Sequence, residues 1–170
     1  MRNRIILYVI LIFVFVTTQV TWLNFIKIFG VTPNLLIVLI VSISLLEGRI
    51  HGAVVGFFAG LCLDAVIGSA LGFQALLGML LGLLLGNINK RFFKENIFIM
   101  ITITFVSTII FESVISFAAY LYGLEIDFFI TFKTLILPEA LINSIIGVVL
   151  FFVIAQINRR IRESEGKNKY

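Results

Sequence analysis

Residues 48–86 read GRIHGAVVGFFAGLCLDAVIGSALGFQALLGMLLGLLLG, and this stretch decides the fold. Two apolar runs, residues 52–67 and 71–86, flank a short turn that contains Gly68 and Ser69. Glycine recurs every fourth residue in both runs, which keeps the glycines on one helical face and lets two helix backbones approach closely in lipid. The pattern predicts a tight antiparallel helical hairpin packed through Gly52, Gly56, Gly60, Gly78, Gly82 and Gly86. In the alternative, one of these glycine faces is kept for the helix of a partner protein.

The composition of the whole chain excludes a soluble protein. Of 170 residues, 61% are hydrophobic and 13% are charged, against about 45–50% and about 25% in an ordinary soluble domain. A single cysteine and a single histidine exclude a disulfide framework and most metal sites. The net charge of +4 comes from short basic clusters between apolar runs, which is typical of a membrane protein and does not indicate a nucleic-acid partner.

The charged residues divide the chain into six apolar runs. We therefore predict an all-α, polytopic membrane protein with six transmembrane helices in one integral membrane domain, residues 1–170. The predicted spans are residues 5–22, 33–46, 52–67, 71–86, 97–122 and 135–157, followed by a basic cytoplasmic tail at 158–170. A helix needs about 20 residues to cross the hydrocarbon, so the second, third and fourth runs are short and the fifth is long.

The distribution of lysine and arginine predicts the orientation. With a cytoplasmic N-terminus, two basic residues fall outside, Lys27 and Lys133, and eleven fall inside: Arg2, Arg4, Arg49, Lys90, Arg91, Lys94, Arg159, Arg160, Arg162, Lys167 and Lys169. This bias satisfies the positive-inside rule. We expect a multi-pass protein of the bacterial cytoplasmic (inner) membrane with both termini cytoplasmic. We also expect the first span to be retained, because no small-x-small cleavage site follows it.

Three acidic residues lie inside the predicted spans, all in the outer half: Asp64, Glu112 and Glu139. Intramembrane carboxylates are costly and are candidates for a functional role, and no lysine or arginine lies within a span to pair with them. If they are functional, these three acids would line a water-filled cavity or contact a partner protein. In the alternative, they are interfacial residues hydrogen-bonded to neighbouring backbone or water.

Polar residues also mark the outer ends of two spans. Pro33 and Asn34 open the second span, and Pro138 precedes Glu139 near the start of the sixth. Asn143 lies four residues after Glu139 and shares its helical face. The helix dipole stabilises a negative charge near a helix N-terminus, so Glu139 could simply cap its own helix. Together, the candidate partner or cavity residues are Pro33, Asn34, Asp64, Glu112, Glu139 and Asn143.

Catalytic chemistry finds no support in the sequence. The chain has no phosphate-binding glycine loop and no zinc-binding H-E-x-x-H pattern. The lone His51 falls at the predicted inner interface, away from the acids, and Cys62 lies between leucines, where a thiol is usually inert packing. We expect a protein that is not an enzyme and has no cofactor and no metal.

Several motifs resemble the bacterial rod shape-determining protein family MreD. They are Pro33-Asn34-Leu35-Leu36, Glu47-Gly48, Gly52-Ala53, Gly56-Phe57-Phe58-Ala59-Gly60-Leu61, Asp64, Gly68-Ser69, Leu71-Gly72 and Pro138-Glu139-Ala140-Leu141-Ile142-Asn143. The resemblance implies a non-enzymatic scaffold of the elongation machinery (elongasome) that binds MreC directly. It also implies a complex with MreB filaments and with the transglycosylase and transpeptidase of lateral wall peptidoglycan synthesis, and contact with membrane lipid.

A second reading comes from another class of protein. The MreD family resembles in size and span number the substrate-binding S components of energy-coupling-factor vitamin transporters, whose six-helix fold we expect this chain to share. An S component is expected to carry small residues on its first span for docking, yet residues 5–22 contain no alanine or glycine. A flippase for lipid-linked precursors is a third reading, but the sequence lacks the basic pocket that a pyrophosphate would need.

Overall fold

The protein is described from a computed structural model, which covers residues 2–22, 30–67, 71–87 and 97–167. The described chain is all-helical, as predicted, and contains no strand. The helices are α1 (Arg2–Thr17), α2 (Leu35–Glu47), α3 (Arg49–Ile67), α4 (Phe73–Gly86), α5 (Ile97–Leu121), α6 (Phe128–Thr131) and α7 (Leu137–Lys167). Two π-helical segments extend them, Thr18–Trp22 after α1 and Phe132–Ile136 between α6 and α7.

Helix α2 is the central element of the bundle. Every residue of α2 except Leu46 is buried, and Ile37, Leu39 and Ile40 are fully inaccessible. A helix that is apolar on all sides belongs in an interior, and α2 packs against α1, α3, α4, α5 and α7. Because its neighbours cover it, α2 does not have to match the thickness of a bilayer. Its 13 residues, about 20 Å of helix, are short for that reason.

The glycines of residues 48–86 lie at the contact between α3 and α4. A Cβ atom added at Gly56 would lie 2.3 Å from the carbonyl oxygen of Gly78. One added at Gly82 would lie 2.4 Å from the backbone of Gly52. The two helices therefore meet backbone to backbone, at a distance that no side chain would allow. The predicted turn at Gly68 and Ser69 lies outside the described residues.

Gly52 has a second close neighbour, on the central helix. A Cβ atom at Gly52 would lie 2.0 Å from the Ser44 hydroxyl oxygen of α2. The glycine series thus brings α3 close to both α4 and α2.

Four described helices are long and apolar enough to cross a membrane: Arg4–Thr21, Arg49–Ile67, Ile97–Leu121 and Phe128–Ile161. Helices α2 and α4 are apolar but shorter, with 13 and 14 residues. Each of the six predicted runs contains a helix. If the chain crosses the membrane six times, α2 and α4 must cross it as helices that are shorter than an ordinary transmembrane helix.

The last helical chain differs from the predicted span 135–157 at both ends. It starts at Phe128, because α6 and the π-helical segment run directly into α7. Pro138 has no N–H to donate to the preceding turn, and such breaks are accommodated by local π-helical widening. Glu139 therefore lies in the first turn of α7, inside a continuous helical chain rather than at a free helix end. At the other end the helix continues to Lys167, through most of the predicted tail.

Candidate functional site

Asn34 organises a polar cluster at the N-terminal end of α2, which the charge pattern predicts to be its outer end. Its extended backbone after Pro33 places it at the N-cap, where its Oδ1 accepts a hydrogen bond from the Leu36 N–H at 3.1 Å. Its Nδ2 donates to Glu112 Oε1 of α5 at 2.9 Å, and its backbone N–H donates to Asn143 Oδ1 of α7, also at 2.9 Å. One residue thus ties α2 to two other helices.

Gln19 completes the cap from the opposite side. It lies in the π-helical segment after α1, and its Oε1 accepts a hydrogen bond from the Leu35 N–H at 2.8 Å. Its Nε2 donates to the carbonyl oxygen of Pro33 at 3.1 Å. Two of the free N–H groups at the start of α2, those of Leu35 and Leu36, thereby have side-chain acceptors.

Glu112 and Glu139 meet in this same cluster. Their carboxyl groups lie within hydrogen-bonding reach of each other, and Glu139 also reaches Asn143. The two residues are 8% and 5% exposed, and neither forms an ion pair with another described residue.

The amide of Asn143 extends the cluster inward along α5. Its Nδ2 donates to Thr108 Oγ1 at 3.2 Å, and the Thr108 hydroxyl donates in turn to the Thr104 carbonyl oxygen at 2.9 Å. Asn143 and Thr108 are fully buried. We call Gln19, Asn34, Glu112, Glu139 and Asn143 the outer cluster.

Asp64 is separate from the outer cluster and stabilises the hairpin of α3 and α4. Its carboxylate accepts hydrogen bonds from the backbone N–H groups of Gly72 at 2.9 Å, Ala75 at 3.2 Å and Gln74 at 3.3 Å. Gly72, the N-cap of α4, has no side chain to perform this role. Asp64 is fully buried and caps the next helix. These hydrogen bonds agree with the alternative stated for the three acids, in which the carboxylate is hydrogen-bonded to neighbouring backbone.

A second cluster was not predicted from the sequence, and it lies at the C-terminal end of α2, the predicted inner end. Glu47 Oε2 forms an ion pair with Arg4 Nη1 of α1 at 3.3 Å, and Glu47 Oε1 accepts a short hydrogen bond from Asn158 Nδ2 of α7. Glu47 and Asn158 are 8% and 3% exposed. We call Arg4, Glu47 and Asn158 the inner cluster. The signal in the sequence is an acid at the edge of an apolar run, and Glu47-Gly48 is also one of the motifs that carry the family resemblance.

The two residues with reactive side chains lie apart from both acids of the outer cluster. His51 packs edge-on against the ring of Tyr8, with ring centroids 5.8 Å apart. Cys62 is exposed on the surface of α3, not packed as predicted. The described residues contain no group of three histidine, cysteine, aspartate or glutamate side chains that could hold a metal ion. The polar groups of both clusters are used to join helices.

The family model described as rod shape-determining protein MreD matches residues 2–161. The chain belongs to the MreD family. This membership gives it a role in rod shape determination, and MreD is a family of shape-determining membrane proteins that is not known to contain enzymes. No curated protein and no solved structure matches the chain. The expected likeness of this MreD protein to S components is therefore not confirmed.

Proposed function

We propose that this MreD protein is a six-span, non-enzymatic scaffold of the bacterial cytoplasmic membrane with both termini in the cytoplasm. It binds MreC directly. Through the elongation complex it helps couple MreB filaments to the enzymes that build lateral wall peptidoglycan. The observation that carries this proposal is the family match over residues 2–161.

The hydrogen bonds that the polar side chains make between helices support the proposal that the protein is a scaffold. Asn34 and Gln19 satisfy the N-terminus of α2, Asp64 satisfies that of α4, and Glu47 pairs with Arg4. A catalytic site needs a nucleophile or an acid and base poised at a cavity, and these groups are engaged in joining helices. The buried carboxyl pair is the remaining candidate for contact with a partner, because it lies toward the predicted outer side, where MreC has its extracytoplasmic domain.

The experiment is co-purification with MreC combined with complementation of cell shape. The variants are Glu112→Gln, Glu139→Gln and Asp64→Asn, each scored for membrane level, recovered MreC and rod shape. We expect Glu112→Gln or Glu139→Gln to reduce MreC recovery and rod shape at normal membrane levels. Normal MreC binding and normal shape in both would contradict a role of the carboxyl pair in assembly.

The wild-type preparation tests the proposal as a whole. We expect stoichiometric MreC to co-purify with the chain. A stoichiometric vitamin without MreC, detected by mass spectrometry, would contradict the scaffold and favour an S component.

A further inference from the structure

The carboxyl pair of the outer cluster has acceptor capacity that the described residues do not use. Glu112 accepts one hydrogen bond from Asn34 Nδ2 at 2.9 Å, and Glu139 is within reach of Asn143. A carboxylate offers two oxygens with about four lone-pair sites. Asp64 differs, because three backbone N–H groups donate to its carboxylate. The pair can therefore accept further hydrogen bonds, whereas Asp64 already has its donors.

Ser116 places another oxygen beside this pair. It lies one turn after Glu112 on the same face of α5 and is 7% exposed. Its hydroxyl makes no hydrogen bond with any residue that the structure describes. The buried hydroxyls of Thr104 and Thr108 on the same helix donate instead to the carbonyl oxygen one turn back. A buried hydroxyl without a partner is costly, so Ser116 indicates a group that comes from outside the described residues.

This set of oxygens suits an ammonium group. Lysine has three N–H donors and no acceptor, and the site presents the carboxyl groups of Glu112 and Glu139 and the hydroxyl of Ser116. Neither acid has a basic partner among the described residues. A guanidinium group is planar and has five donors, so it would leave more of its N–H groups unpaired at three acceptors. The chemistry of the site therefore favours a primary ammonium ion.

The depth of the pair indicates where this ammonium group comes from. Glu112 lies nine residues before Leu121, the end of α5, which is about 14 Å along the helix. Glu139 lies a similar distance inward from Phe128, the start of the last helical chain. An ethanolamine lipid keeps its ammonium at the membrane surface. A lysine has a flexible four-carbon stem that passes apolar surface and carries its charge inward, so the donor is a protein side chain.

We propose that the carboxyl pair and Ser116 bind the ammonium group of one lysine of MreC, which enters from the predicted outer side. This inference rests on the proposed binding of MreC. Leu135 lies one turn outward from Glu139 on the same face and is 41% exposed, so the lysine stem packs against it. Lys133, the nearest described lysine in the sequence, is exposed and forms no ion pair within the described part of the chain.

A zero-length cross-link tests this contact. The purified complex of the full chain with MreC is treated with dicyclohexylcarbodiimide, an apolar reagent that activates buried carboxyl groups. Attack by a lysine amine on the activated carbonyl carbon forms an amide and releases dicyclohexylurea. We expect peptide mass spectrometry to find Glu112 or Glu139 joined to one lysine of MreC. An ethanolamine lipid joined to either acid, a link to a lysine of this chain, or urea adducts alone would each overturn the inference.

Matched variants test the same contact through affinity. Ser116→Ala removes one acceptor and should weaken the apparent Kd for MreC by about two- to tenfold. The control is Ser107→Ala, because Ser107 is equally buried on α5 but lies more than two turns farther inward, so its Kd should not change. Glu112→Gln and Glu139→Gln should each weaken the Kd by about tenfold or more, since charged hydrogen bonds are stronger. An unchanged Kd in Ser116→Ala and in both glutamine variants would overturn the inference.

Failure of the inference can be separated from failure of the scaffold proposal. If MreC co-purifies with the wild-type chain but the expected link is absent, only the inference is overturned. If MreC does not co-purify, the scaffold proposal fails and the inference fails with it. Unfolding midpoints show whether each variant is folded. If a glutamine variant does not fold, Ser116→Ala and the cross-link on the wild-type complex still decide the outcome.

Discussion

At the scale of single residues, Asp64 shows how the fold can use an acid inside an apolar run as a hydrogen-bond acceptor. Three backbone N–H groups donate to its buried carboxylate, and they belong to the helix that follows. The sequence placed Asp64 correctly inside an apolar run, but the acceptor role depends on the path of the chain through the next turn. No helical periodicity encodes that path.

We predict that Asp64→Asn destabilises the protein by about 1–3 kcal/mol, because an amide loses the charge and directs N–H groups at donors. The matched control is Asp127→Asn. Asp127 caps α6 by accepting from the Phe129 and Ile130 N–H groups at an exposed site, where the loss should stay near or below about 1 kcal/mol. Thermal unfolding in detergent measures both variants. Equal losses would contradict a special role of the buried cap.

The carboxyl pair of the outer cluster predicts a difference between two replacements of Glu112. In Glu112→Gln the new amide oxygen can still accept from Asn34 Nδ2, so the cost should be below about 1 kcal/mol. In Glu112→Leu the buried amide of Asn34 loses its partner, at a cost of about 1–3 kcal/mol. Unfolding midpoints of the purified variants provide the measurement. A Gln variant as unstable as the Leu variant would show that the carboxyl itself is required.

At the scale of helices, the glycine spacing contained more information than the hydropathy. It predicted that residues 52–67 and 71–86 would pack closely, and the backbones of Gly56 and Gly78 meet. The charged residues located the apolar runs but misplaced the start of the last helical chain. The predicted sixth span begins at residue 135, whereas the helical chain begins at Phe128 with Asp127 as its N-cap.

We predict that Gly56→Ala and Gly82→Ala each destabilise the hairpin, because the added methyl would lie under 2.5 Å from backbone atoms of the facing helix. Overpacking of this kind costs about 1–3 kcal/mol. The control is Gly147→Ala, whose methyl would lie 3.3 Å from the Thr104 side chain, so that a small side-chain shift suffices and the cost should be lower. The measured quantities are the membrane level and the unfolding midpoint. Normal levels with lost MreC binding would instead indicate that the glycine face is used between proteins.

At the scale of the whole molecule, composition predicted the class of protein but not its internal order. The second run is apolar on all sides, which favours an interior helix, but this signal does not say which helices surround it. The structure places α2 in the centre, with a polar cluster at each end. The outer residues Asn34, Glu112 and Asn143 were recognised individually, but their meeting depends on which helices are neighbours.

We predict that both termini lie in the cytoplasm, because of the strong bias of lysine and arginine to one side. A reporter fused at Tyr170 and a reporter inserted near Glu125 should lie in opposite compartments. Paired alkaline phosphatase and fluorescent protein fusions measure this. Both reporters in the same compartment would contradict the six-span arrangement.

The inner cluster predicts that the two ends of the chain are held together through α2. Glu47 contacts Arg4 near the N-terminus and Asn158 near the C-terminal end, so one side chain joins α1, α2 and α7. Glu47→Leu leaves the buried amide of Asn158 without this acceptor and should cost about 1–3 kcal/mol, the penalty of an unsatisfied buried donor. Arg4→Met should cost less, because the Arg4 side chain is 29% exposed and the hydrogen bond from Asn158 to Glu47 remains. Proteolysis of α1 and the unfolding midpoint should both rank Glu47→Leu as the more damaging change. The opposite order would mean that Arg4, and not Glu47, is the residue that holds the inner ends together.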